Sequence, residues 1–166
     1  MDDISHNLPI SDQDILDLAT KIEEQGRQFY TSLAKLTSDK EVQDFLNHMA
    51  AEEAKHEALF KNLMEEKQDQ PYGWENQPEV KLTLRKMFQT DIFPALAELD
   101  KSSEPFADLE RAFDFAIESE MVSIEFYRLL AEYCENLEAK AVLVMLEKVE
   151  TEHLTYVSNL KKKLCP

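Results

Sequence analysis

Residues 42–63 read VQDFLNHMAAEEAKHEALFKNL. Val42, Leu46, Met49, Glu53, His56, Phe60 and Leu63 recur there at an unbroken 4-3-4-3 spacing, the period of one buried stripe on an α-helix. Two of these positions are ionisable, and they stand in the middle of the stripe. A carboxylate and an imidazole three residues apart project from one side of a helix, so Glu53 and His56 can grip one metal ion. Alone the pairing is weak, because 34 Asp and Glu among 166 residues place a Glu three before a His by accident.

A shift of 97 residues lays Leu46 on Leu143, Glu53 on Glu150 and His56 on His153. The stripe Ala139, Leu143, Leu146, Glu150, His153, Val157, Leu160 thus repeats the first, again with Glu and His at its centre. The same shift lays Glu23 on Glu120 and Phe29-Tyr30 on Phe126-Tyr127, and in each half the lone Glu precedes the Glu of the pair by 30 residues. Gly26 and Ser123 also correspond, both small and one turn beyond the lone Glu. They either leave space for a small oxidant or permit close helix packing. Two helix pairs related by a pseudo-two-fold axis are the expected consequence.

Around these stripes the helix boundaries are legible. Ser11 with Asp14 marks a helix start, and that helix is predicted to run to about Leu36. Its stripe is Ile15, Ala19, Ile22, Gly26, Phe29, Leu33 and Leu36, with Leu16, Glu23 and Tyr30 in a line beside it. The turn Thr37-Ser38-Asp39 is so short that the next helix, about 39 to 67, must be an antiparallel neighbour, with Ser38 and Glu41 as its capping box. The breaker-rich stretch from Gln68 to Pro78 reads as a loop in which Trp74 is a packing residue. Apolar residues from Leu82 to Leu99, interrupted by Pro94, predict one or two short helices. They lie within a crossover of about 68–104, long enough to traverse a bundle. A third long helix is predicted from Ser103-Glu104-Pro105 to about Glu135. The fourth starts at the cap Asn136 and ends in Lys161-Lys162-Lys163, cations that complement the helix dipole. Residues 1–10, His6 included, read as a loose solvated arm. The chain 1–166 is therefore expected to be a single all-α domain, its bundle at about 12–163.

Composition narrows the partners. Two Gly and six Pro leave few helix breaks. A formal net charge of −16 repels nucleic acid phosphates and anionic membrane surfaces and favours cations. Cys134 and Cys165 are isolated thiols with no Cys-x-x-Cys, which excludes a disulfide framework and a local thiolate metal site and fits a reducing cytoplasm. No basic-apolar leader and no uncharged run near the roughly 20 residues of a membrane span is present, so a soluble cytoplasmic protein is expected.

Four inward-facing glutamates need a reason, since an unpaired buried carboxylate costs several kcal/mol. Glu23, Glu53, Glu120 and Glu150 would balance two divalent ions, and His56 and His153 would give each ion one neutral nitrogen. Rich in oxygen with one imidazole per metal, the set suits iron or manganese better than structural zinc. One Glu from each of two helices plus Glu-x-x-His from the other two is the arrangement of dinuclear carboxylate bundles. Two divalent ions, iron or manganese, are the expected cofactor, with zinc also possible. Tyr30 and Tyr127, two turns beyond Glu23 and Glu120, can each donate a hydrogen bond that orients a ligating carboxylate. Plain amphipathic packing is the alternative for both.

Glu23 with Phe29-Tyr30, Glu53-Ala54-Lys55-His56, Glu120 with Phe126-Tyr127, and Glu150-Thr151-Glu152-His153 together resemble the ferritin-like superfamily, and most closely its rubrerythrin-type di-iron domain. The resemblance covers about residues 12 to 163. It implies an antiparallel four-helix bundle with a long crossover between helices two and three, and two iron ions that react with hydrogen peroxide or oxygen. A homo-oligomer, with a dimer favoured, is the expected assembly. Two departures stand out. Rubrerythrins typically add an iron-thiolate electron relay, for which this chain lacks the cysteines, so an external electron donor is required. They also typically carry a further Glu where this chain has Ser123, and the symmetric six-residue set is equally similar to bacterioferritin, an iron oxidation and storage protein.

Overall fold

The computed structural model describes residues 11–66, 71–89 and 109–166. Within them α1 spans Asp12–Leu36, α2 Lys40–Glu65, α3 Pro78–Gln89, α4 Leu109–Tyr133 and α5 Leu137–Leu164, with a single 3-10 turn at Trp74–Asn76. The expected arm at 1–10, the start of the third long helix at Ser103–Pro105 and the apolar residues Ile92 to Leu99 lie outside the described residues.

The helix starts follow local chemistry. Ser11 accepts from the Asp14 N–H while the Asp14 carboxylate accepts from the Ser11 N–H at 2.7 Å, closing the expected capping box. The cap of α2 is not Ser38. Asp39 takes that place, its Oδ1 accepting from Glu41 N at 2.9 Å and Val42 N at 3.2 Å. A carboxylate satisfies the first free N–H groups and faces the positive helix end, which a hydroxyl one residue earlier cannot do. Asn136 caps α5 as expected, accepting from Ala139 N at 3.0 Å. The helix expected near residue 81 begins at Pro78, a residue at home in a first turn.

Two clusters of buried side chains fix the directions of the helices. One unites Ile15–Ile22 of α1 with Phe60 and Leu63 of α2, Phe126–Ala131 of α4 with Cys134 just beyond it, and Ala139–Leu146 of α5. The other unites Phe29–Ala34 of α1, Val42–Ala50 of α2, Ala112–Ala116 of α4 and Val157 of α5. The first half of α1 thus meets the second halves of α2 and α4, and the chain runs up, down, down, up. Because α2 ends where α4 also ends, no short turn can join them, and the crossover must return along the bundle. Its described part stays at the first cluster, where Trp74 and Tyr72 stack at 4.4 Å and are buried with Val80 and Leu84. Trp74 is a packing residue, as expected. The result is a ferritin-like helical bundle.

The predicted stripes are the buried faces, with two exceptions at helix ends. Every member of the α2 stripe is buried. Leu36, in the last turn of α1, is 43% exposed, and Leu160 near the end of α5 is half-buried. Lys161 does more than complement a dipole, since its ammonium reaches Asp114 of α4 at 2.5 Å.

Candidate metal centre

Between the two apolar clusters lies a polar layer. Glu23, Glu53, His56, Glu120, Glu150 and His153 are all buried, none more than 5% exposed, on four different helices. Sequence periodicity places each on the inner face of its helix, and the antiparallel order brings all six to one level.

Their atoms divide into two lobes. His56 Nδ1 lies 3.6 Å from Glu23 Oε2, 3.3 Å from Glu53 Oε2 and 2.7 Å from Glu150 Oε1. His153 Nδ1 lies 3.8 Å from Glu120 Oε1, 3.4 Å from Glu53 Oε1 and 3.2 Å from Glu150 Oε2. Glu53 and Glu150 therefore give one oxygen to each lobe, while Glu23 and Glu120 belong to one lobe each. The imidazoles stack face to face, with ring centres 5.3 Å apart.

Both tyrosines donate to a glutamate, and both do so across the repeat. The Tyr30 hydroxyl donates to Glu120 Oε1 and that of Tyr127 to Glu23 Oε1. The partner is thus on the neighbouring helix of the opposite half, not on the tyrosine's own helix. Burial, then nearby carboxylates, push both phenols well above their ordinary range, so each O–H keeps its proton and donates.

Burial and the neighbouring charges shift the six groups in opposite senses. Burial pushes the Glu23 carboxyl up, and those of Glu53 and Glu120 further. Burial acts the same way on Glu150, but the imidazoles of His153 and His56 outweigh it and hold its carboxyl at about 2. At His56 burial favours the neutral ring, yet Glu150, Glu23 and Glu53 prevail and push it up to about 12. His153 is raised for the same reason, against burial, chiefly by Glu150 and Glu120.

The donors fit a metal pair. Glu23 Oε2, Glu120 Oε2, both oxygens of Glu150 and Nδ1 of both histidines are buried without a hydrogen-bond partner. Orphaned buried polar atoms each cost about 1–3 kcal/mol. Close approach without hydrogen-bond alignment is what lone pairs aimed at a common point produce. Ligands about 2.1 Å from one ion stand about 3–3.4 Å from each other, and each histidine Nδ1 lies between 2.7 and 3.8 Å from the carboxylate oxygens of its lobe. Glu53, His56, Glu150 and His153 each offer an atom within 4.8 Å of the others, close enough to hold a metal ion.

The rubrerythrin family profile matches residues 14–161, a span that includes all six of these residues. The chain belongs to the rubrerythrin family. Among solved structures, a hypothetical protein from Pyrococcus furiosus is similar with a TM-score of 0.64 and 23% identity over 92% of this chain and 89% of that one, a likeness of fold. No curated protein sequence matches the chain. Rubrerythrin membership and the buried Glu/His cluster together support a carboxylate protein with a di-metal site.

Two features were not read from the sequence, one a buried neighbour of Glu120 in the chain and the other within the centre. Ser119, beside Glu120 on α4, is buried; its alignment with the stripe residue Ile22 under the 97-residue shift is the signal that finds it. The crossed tyrosine bonds have no sequence signal, because they depend on which helices become neighbours. A surface groove of about 500 Å³ between α1 and α2, lined by residues that include Leu16, Asp17, Glu57 and Lys61, shares no residue with the centre. Among the described residues no helix is long and apolar enough to cross a membrane.

Proposed function

We propose that the protein is a di-iron carboxylate oxidoreductase that reduces hydrogen peroxide or oxygen, drawing electrons from an external donor. The observation that supports this reading is the division of six buried donors into two lobes that share the oxygens of Glu53 and Glu150. In this reading Glu23 and His56 would hold one ion and Glu120 and His153 the other, with Glu53 and Glu150, which face both lobes, available to each. Two bound ferrous ions would supply the two electrons that, with two protons, convert hydrogen peroxide to two waters.

The protein's own groups set the conditions. Tyr127 occupies Oε1 of Glu23, which leaves Oε2, the oxygen that faces His56, free to ligate, while Tyr30 donates to Glu120 Oε1, the oxygen that faces His153. Phe60 and Phe126 on one side and Phe29 and Phe113 on the other, all fully buried, keep bulk water from the layer. Metal binding would displace the protons that the carboxyls and imidazoles hold. A reducing cytoplasm suits the thiols of Cys134 and Cys165, which are not joined in a disulfide.

Anaerobic loading with Fe(II) should give about two irons per chain, and added peroxide should then oxidise them faster than Fe(II) in buffer. Oxidation no faster than that of free Fe(II) defeats the proposal. Ser123, where a further carboxylate is typical of rubrerythrins, favours a second reading as an iron oxidation and storage protein like bacterioferritin. Size-exclusion chromatography separates the two, since storage requires a large hollow shell and the first reading expects a dimer. Normal folding and partner binding after Glu53→Ala with Glu150→Ala would instead mark a non-enzymatic helical scaffold.

A further inference from the structure

The chain has two glycines, and they serve different needs. Gly73 has φ 113°, and a Cβ there would lie 2.8 Å from the Tyr133 carbonyl oxygen. Gly26 is buried in the interior of α1, where glycine is disfavoured and alanine is the best residue. Its backbone is helical, so conformation does not require it. What stands in front of it does. A Cβ on Gly26 would lie 3.3 Å from both Cδ and Oε1 of Glu53, tighter than side chains ordinarily rest, and in ordinary contact with Cγ at 3.5 Å. Glu53 Oε1 is the oxygen that reaches across to His153, while Oε2 faces His56. At the matching place in α4 the chain has Ser123, which is buried with its side chain present. The two halves are therefore unequal at this one level of the centre.

We infer that Gly26 is a positioning residue whose missing side chain gives the Glu53 carboxylate room to lie across both imidazoles and share its oxygens between two ions. This inference rests on the dinuclear reading above. A methyl group at residue 26 pushes Oε1 by a few tenths of an ångström, and the loss falls on the lobe of His153. The apolar packing around Ile22 and Phe29 is untouched.

Cobalt(II) titration of the metal-free protein, followed by its visible absorption, tests the inference without any turnover assay. The wild type should bind two ions per chain. Gly26→Ala should bind the first almost as well and the second about tenfold or more weakly, the range in which groups behind a ligand act. Its metal-free Tm should stay level or rise by about 2 °C, because alanine favours the helix. In a Glu53→Asp background, where one methylene less restores the space, the Gly26→Ala penalty should shrink by at least about threefold, the coupling expected of neighbours. Equal binding by wild type and Gly26→Ala, or penalties that add in the double variant, overturns the inference and leaves the dinuclear reading intact. A large fall in the metal-free Tm of Gly26→Ala also overturns it, since close helix packing would then be what glycine serves. A wild type that binds fewer than two cobalt ions defeats both readings.

Discussion

The outward faces of α2 and α5 differ as much as their inward faces agree. Under the 97-residue shift, exposed Lys40, Asp44, Asn47 and His48 of α2 correspond to exposed Leu137, Ala141, Val144 and Met145 of α5. On the inner side Leu46, Glu53 and His56 correspond to Leu143, Glu150 and His153, all buried. Surface positions tolerate almost any side chain. The inner positions do not, because each supplies either core volume or one donor of a six-residue set. What the halves share is thus what the polar layer demands, and what they do not share is free to drift.

The largest effect should come from the two residues that serve both lobes. Glu150→Ala or Glu53→Ala should abolish binding of both cobalt ions, weakening titration by more than about a hundredfold, beyond what loss of an outer partner does. In the metal-free protein Glu150→Ala should lower the Tm, because it leaves the imidazoles of His56 and His153 without the carboxylate that balances them, whereas Glu53→Ala removes a carboxyl that burial holds in its neutral form and should change the Tm less. Unequal halves would appear as one alanine variant retaining an ion.

Next come the histidines. His56→Ala and His153→Ala should each lose one ion and keep the other, read as a stoichiometry near one by the same titration. Affinity should also depend on pH with a definite sign. His56 is held protonated to about 12 in the metal-free protein and must lose that proton to ligate. Affinity therefore rises with pH, about tenfold per unit for each proton displaced. The metal-free fold behaves oppositely. The raised His56 contributes stability fully present below pH 6.5, its unfolded value, and lost as pH climbs toward 12. Glu53 and Glu120, also raised, act in the same sense, with loss beginning above 4.5. Glu150 acts in reverse, its contribution present above 4.5 and lost as pH falls toward 2. Thermal melts of metal-free protein from pH 5 to 8 check this, with a falling Tm expected.

A smaller effect belongs to the crossed tyrosines. Tyr30→Phe and Tyr127→Phe should each weaken cobalt binding by about tenfold, the low end for groups that orient a ligand. If both variants disturbed the lobe of their own helix instead of the opposite one, the crossing would be refuted; Tyr127→Phe should affect the ion beside Glu23.

The helix caps come after. Asp39 and Asn136 correspond under the shift, and Asp39→Ala and Asn136→Ala should each cost about 1 kcal/mol by denaturant unfolding. Smallest of all, Val144→Asn with Met145→His places α2's outer residues on α5. That swap should change stability by no more than about 0.5 kcal/mol and leave metal binding alone.

Most of the fold could be read from the chain because its stripes are long and regular. Val42 to Leu63 and Ala139 to Val157 show their buried face directly, and a glutamate in such a stripe announces a site. The failures have local causes. Ser38 and Asp39 both suit a cap, and only the backbone path decides which side chain meets Glu41 N. Leu36 keeps the period but falls in a last turn with nothing above it. Pairings between halves are not legible, because the 97-residue shift says which residues are alike and not which ones touch. Tyr30 aligns with Tyr127, yet it touches Glu120.

That crossing has a consequence for how such a molecule can originate. A hairpin of half this length, with Glu, Phe-Tyr and Glu-x-x-His once each, could not complete a single lobe, since each lobe takes carboxylate oxygens from both halves. Two such hairpins would have to meet face to face. The crossover is then a tether that makes an encounter between equals permanent, and it releases each half to change wherever the other does not depend on it.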